Sequence, residues 1–235
     1  MGKCSEIINS LQRSTDPVRA EHSQGFFKTG PGEYGEGDLF LGVRVPIIRK
    51  LVREFRGLDL IDMEELLNSK WHEVRLFTLL SMVDSFKRHP GRGREEIYNL
   101  YMSNTNRVSS WDLVDSSAPH ISGAYLWDRS RQPLYDFAVS DSLWKHRIAV
   151  ISTQHFIRKQ SFDDTLKIAE LLIDDKEDLI HKAVGWMLRE VGKRDLRVEE
   201  DFLSSLYKKM PRTMLRYAIE KFDSNRRRSY LQGSI

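Results

Sequence analysis

The chain holds one cysteine, Cys4. A lone thiol closes no internal disulfide, which fits a reducing compartment. Zinc ribbons and iron–sulfur clusters need several thiolates at short spacing, so both are excluded. Cys4 lies too near the start of the chain to resemble a buried nucleophile. Long apolar runs are also missing. None approaches the roughly 18 residues that cross a bilayer, and Met1–Glu6 has no apolar segment of the secretory kind. These absences lead to the expectation of a cytoplasmic protein with no membrane partner. Metal-site spacing is absent. His72, His120, His146, His155 and His181 are scattered, without a His-Glu-x-x-His pair, and each reads as a surface or satisfied core histidine. There is no Gly-x-Ser-x-Gly elbow, and Ser116 and Ser117 near His120 do not by themselves make a triad. No metal and no cofactor is expected.

What is present is helix after helix. Apolar residues recur at helical spacing over Ile47–Phe55, Val74–Phe86, Leu143–Ile157, Thr165–Ile173, Leu179–Val191 and Phe202–Met210. No window alternates in the manner of a strand. Breaks fall at Pro90-Gly91, Gln160-Ser161 and Pro211, and Asp163 and Asp164 stand where N-caps are expected. Thr29–Asp38 is the one long irregular segment, too rich in glycine for a helix. It reads either as an ordered connection or as backbone that approaches a ligand closely. It is not a P-loop, since no Gly-Lys-Ser/Thr follows.

A weak repeat runs through the helices. Trp71–Leu76 resembles Trp144–Ala149 and Ile180–Gly185, and aligning Arg75, Trp111, Arg147 and Lys182 gives a period of roughly 36 residues, about one helical hairpin. The expected fold is therefore all-α: a HEAT-like or armadillo-like helical-repeat superhelix, one domain over residues 1–235, with a concave groove. Trp111, Arg147 and Lys182 are expected to line that groove. Net charge is only +3, but Lys208, Lys209, Arg212, Arg216, Lys221, Arg226, Arg227 and Arg228 crowd the C-terminal end. That run is either a solubilising tail or the footprint of a polyanion binder.

Trp111-Asp112-Leu113-Val114-Asp115 stands out from the rest. On a helix, Trp111 and Asp115 lie side by side, an indole face next to a carboxylate, which suits a cationic ring. The other reading of Trp111 and Trp186 is core packing, and Asp115 could equally pair with an arginine or cap a helix. Trp71 and Trp144 are taken as core.

Trp-Asp-Leu-Val-Asp, then Trp-x-x-Arg-Ile-Ala, then Lys-Ala-Val-Gly-Trp-Met-Leu-Arg-Glu resembles the AlkD-type DNA alkylation-repair family, HEAT-like glycosylases for N3- and N7-alkylated purines. The resemblance extends from the first helices to about Phe222. It implies Asp115 as the catalytic carboxylate and Trp111 and Trp186 as indoles against the sugar. It implies DNA contacts from Arg147, Lys182 and Arg189. It also implies a lesion held within the duplex and alkylated duplex DNA as the partner. A single groove needs no second copy, so a monomer is expected, cytoplasmic and associated with the nucleoid when bound to DNA. Two features depart from the best-known members. Asp178 and Leu179 stand where aromatic residues precede the second tryptophan, and the Gly30–Asp38 segment is longer. Alkylation makes the purine a good leaving group, so the barrier lies in charge developing on the deoxyribose, and an aimed carboxylate lowers it. The alternatives are a non-catalytic HEAT-repeat binder of damaged or branched DNA and a protein-interaction scaffold.

Overall fold

The computed structural model describes residues 2–235, which divide into two compact units, one running to Tyr125 and the other Leu126–Ile235. Both are helical. Among the described residues, the one β feature is an isolated parallel bridge between Leu39 and Trp71. No helix is long and apolar enough to cross a membrane.

The first unit contains α1 (Lys3–Gln12), α2 (Pro17–Phe26), α3 (Val45–Glu54), α4 (Leu60–Leu67), α5 (His72–Arg88), α6 (Arg92–Ser103), α7 (Trp111–Ser117) and α8 (Ser122–Tyr125). α5 is the central element, packed by α3, α4, α6 and α7 and buried along most of its length. Its first turn is polar all the same, and this creates the network described below. In α1, Cys4, Ile7 and Leu11 form the buried face. Cys4 is thus a core residue despite its place near the terminus. Burial and the neighbouring Asp62 push its thiol up to about 12, which leaves it inert. α2 is the opposite case. Asp16 caps it and Pro17 opens it, yet none of its residues is buried.

The second unit contains α9 (Gln132–Ala138), α10 (Leu143–Ser152), α11 (Gln154–Arg158), α12 (Asp163–Leu171), α13 (Asp178–Gly192), α14 (Leu196–Leu206), α15 (Arg212–Ala218) and α16 (Ser224–Gln232). α13 buries Ile180, Ala183, Val184, Met187, Leu188 and Val191, steps of three and four along one stripe. Its Gly185 lets α15 close in: a Cβ there would stand 2.4 Å from the Met214 carbonyl oxygen. The single helix expected over Leu143–Ile157 is broken at Thr153. Ser152 and Thr153 turn their hydroxyls back onto the carbonyls of Ile148 and Val150, both at 2.6 Å, which favours a bend. Asp163 and Asp164 are first-turn residues, not caps; Phe162 holds the cap position. Carboxylates in the first turn oppose the helix dipole, and Asp164 also accepts from the Tyr135 hydroxyl and pairs with Arg131. Trp71 and Trp144, expected in the core, are half-buried.

Candidate active site

In the first unit the site is built around the start of α7. Leu113, Val114 and Ser117 anchor that helix in the core, which leaves Trp111, Asp112 and Asp115 half-buried on its other side. Trp111 and Asp115 therefore share a helix face at the expected spacing. Asp115 lies close enough to the buried Tyr101 for its charge to add to the upward shift that burial imposes on the phenol. Tyr101 in turn meets the Ser117 hydroxyl at 3.1 Å.

The Trp111 indole is held in an aromatic column. It stacks on Phe27 (5.3 Å between centroids, 11° between planes), Phe27 on Phe40 (4.9 Å) and Phe40 on His72 (4.4 Å). Phe26 meets the indole edge-on at 6.0 Å.

His72 joins this column to a buried charge network. Its Nδ1 faces Asp38 and its Nε2 faces Asp112, both at 2.8 Å. Burial alone would lower its pKa, but Asp112 and Asp38 outweigh that and push it up to about 9. Burial acts to raise the Asp112 carboxyl, and the imidazolium more than reverses this, leaving it below the usual carboxylate range. His72 is therefore an imidazolium at neutral pH. Asp38 also takes Arg75 at 2.5 Å, and Arg75 reaches the Ser109 hydroxyl and the Arg107 carbonyl. Beside them, the buried Glu73 carboxylate accepts the backbone N–H groups of Leu41, Gly42 and Val43 at 2.9, 2.7 and 3.2 Å. Gly42 is required here: its φ is +78°, and a Cβ would come within 2.2 Å of the Asp16 carbonyl oxygen.

The glycine-rich segment delivers Asp38 to this network. The N–H of Gly35 bonds the Lys28 carbonyl and that of Gly37 bonds Thr29, so the segment is an ordered connection fastened just after Phe27.

Within the second unit, the Trp186 indole N–H donates to Glu190 at 3.3 Å. Arg147 is buried and donates to the Leu179 carbonyl at 2.6 Å. Lys182 pairs with Asp178 at 2.7 Å, and Arg189 pairs with Glu220. Asp178 and Leu179 thus supply partners to Lys182 and Arg147. Among the described residues, no group of three His, Cys, Asp or Glu side chains is placed to hold a metal ion.

Sequence reasoning missed Asp38, Phe27, Phe40 and the His72–Asp112 link. One available signal was the start of α5, where His72, Glu73 and Arg75 open a helix otherwise destined for the core. Buried polar groups demand partners.

Comparison with solved structures finds a predicted DNA alkylation repair enzyme from Enterococcus faecalis, 16% identical, covering 90% of this chain and 98% of that one with a TM-score of 0.71. At that identity the likeness establishes the fold, an all-α helical-repeat type. No curated protein matches the sequence. The sequence family described as DNA alkylation repair enzyme matches residues 7–222. With nearly its whole length matched, the chain belongs to the DNA alkylation repair enzyme family, with DNA as substrate or partner.

Proposed function

We propose that the protein is a monofunctional DNA glycosylase that hydrolyses the N-glycosidic bond of N3- or N7-alkylated purines. The observation that carries this reading is the pairing of Asp115 with Trp111 on the half-buried side of α7, with the indole fixed by the Phe27 stack. The C1′–N bond breaks with its electron pair leaving on the cationic base, which departs neutral. The Asp115 carboxylate stabilises the positive charge left on the sugar and orients the water that adds to C1′, whose proton passes to the carboxylate or to solvent. The indole adds cation–π stabilisation of about 0.5–2 kcal/mol. Trp186 is the second indole in this reading, and Arg147, Lys182 and Arg189 are its proposed DNA contacts.

A second reading, a non-catalytic binder of damaged or branched DNA, rests on Asp178 and Leu179, which stand where the resemblance expects aromatic residues and instead engage Lys182 and Arg147. One assay separates the two. Release of 7-methylguanine from a duplex carrying one such lesion is followed for wild type and Asp115→Asn, with thermal melting as a control on folding. The glycosylase reading expects wild-type release and a loss of about 10²–10³-fold in the variant. No release by wild type, with duplex binding intact, favours the binder.

A further inference from the structure

We propose that the polar cleft bounded by Lys70, Arg75, Arg107 and Ser109 binds a phosphodiester of the DNA backbone, immediately beside the α7 site. The cleft encloses about 200 Å³ between the glycine-rich segment and the approach to α7. Ser109 stands two residues before Trp111, so a strand gripped here passes the start of that helix. Arg75 also lines the cleft. It is buried and fixed by Asp38, Ser109 and the Arg107 carbonyl, and its Nε has no partner.

Lys70 and Arg107 are both exposed, and neither has an ion-pair partner among the described residues. The Lys70 ammonium lies 5.1 Å from the centre of the Trp71 ring, a contact that holds the chain without neutralising it. Two acids share the cleft, Glu36 and Asp38. Asp38 is compensated by Arg75 and His72, and Glu36 accepts the Gly32 N–H at 3.0 Å. The balance is cationic. The lining is mostly polar and carries cations, which suits an oxyanion.

The contrast with the second unit strengthens the case. Arg147, Lys182 and Arg189, which the family resemblance points to as DNA contacts, are all engaged with protein partners. Lys70 and Arg107 are free to displace counterions from DNA, the step that generates salt-dependent affinity.

The inference rests on DNA being the ligand but not on catalysis by Asp115. The test is fluorescence anisotropy of a labelled, undamaged duplex across a salt series, with wild type, Lys70→Gln, Arg107→Gln and the double variant. Arg44→Gln, an exposed cation that does not line this cleft, is the control. The double variant is expected to bind about 10-fold more weakly on any sequence, with the slope of log K against log salt reduced by about 1. A slope equal to wild type, or a loss no greater than that of Arg44→Gln, overturns the proposal. Competition by inorganic phosphate tests the other source of the same chemistry. If millimolar phosphate binds in a Lys70-dependent manner while the duplex slope is unchanged, the cleft is a free-phosphate site and the proposal fails. Base release is scored separately. An inactive wild type whose cleft variants lose DNA binding defeats the glycosylase reading alone.

Discussion

Raising the pH should dismantle the His72 junction, and the size of the effect follows from its surroundings. The perturbation is deprotonation of one imidazolium. Its pKa stands at about 9 in the folded protein against an ordinary 6.5, because Asp112 and Asp38 together outweigh the burial that opposes them. A folded-state pKa above the unfolded one stabilises fully below pH 6.5, and the contribution is lost as pH rises through 9. The shift corresponds to about 3 kcal/mol. The assay is urea unfolding at intervals between pH 6 and 9.5, on wild type and on His72→Gln. Gln keeps hydrogen-bonding capacity but carries no charge, so it leaves Asp112 without its cation and Asp38 with Arg75 alone. The variant should be the less stable at pH 6, and the gap should narrow by about 3 kcal/mol by pH 9.5. Taking the difference between the two proteins cancels groups elsewhere. Parallel curves over the whole range would refute the claim that His72 is a charged junction.

Glu199 makes a second alkaline-sensitive point, in the other unit. Burial, with Glu200 adding to it, pushes its carboxyl up to about 8, so the folded state is favoured below pH 4.5 and loses that advantage as pH rises through 8. Glu199→Gln should raise stability at pH 8.5 by a few kcal/mol, on the order of 3–5, read as a higher urea midpoint; an unchanged midpoint would mean the carboxyl ionises in place without penalty. Gly185→Ala should lower the melting temperature although alanine is the better helix former. The new methyl meets the Met214 carbonyl 2.4 Å away and the Tyr217 Cβ at 2.5 Å, and such overpacking costs about 1–3 kcal/mol. A variant as stable as wild type would show that α15 can retreat from α13 at little cost.

The parts legible in the sequence are those governed by local spacing. The stripe Ile180, Ala183, Val184, Met187, Leu188, Val191 is a helix face whatever it packs on, and Trp111 and Asp115 must be neighbours once Trp111–Ser117 is helical. The parts that were hidden depend on long-range closure. Asp38 meets residues 34, 37 and, through His72, 74 positions away. Nothing near Asp38 in the chain announces those partners, and the glycines around it point to a turn without saying where it leads. Phe26 and Phe27 were equally silent, because the end of an uncovered helix gives no sign that its aromatics stack on an indole. The break at Thr153 went unread for the opposite reason. Its apolar period runs on unbroken while two hydroxyls compete locally for the backbone.

The weak repeat gains its meaning from one shared contact. Arg75 donates to the carbonyl of Arg107 and Arg147 to that of Leu179, each 32 residues further along the chain. In each unit the arginine joins its helix to main chain at or near the start of a later helix. The joint recurs after 72 residues, two of the roughly 36-residue periods, and it needs no ligand. Lys182, in the same register, pairs with Asp178 one turn back, so it too is committed. Trp111 breaks the series. Where the repeat elsewhere supplies a cation with a protein partner, α7 supplies an indole, and Asp115 follows one turn later on a side the core does not claim. An architecture that needed only another joint would have kept the cation. The departure from the repeat, more than the presence of tryptophan or aspartate as such, is the physical reason to look for chemistry at α7.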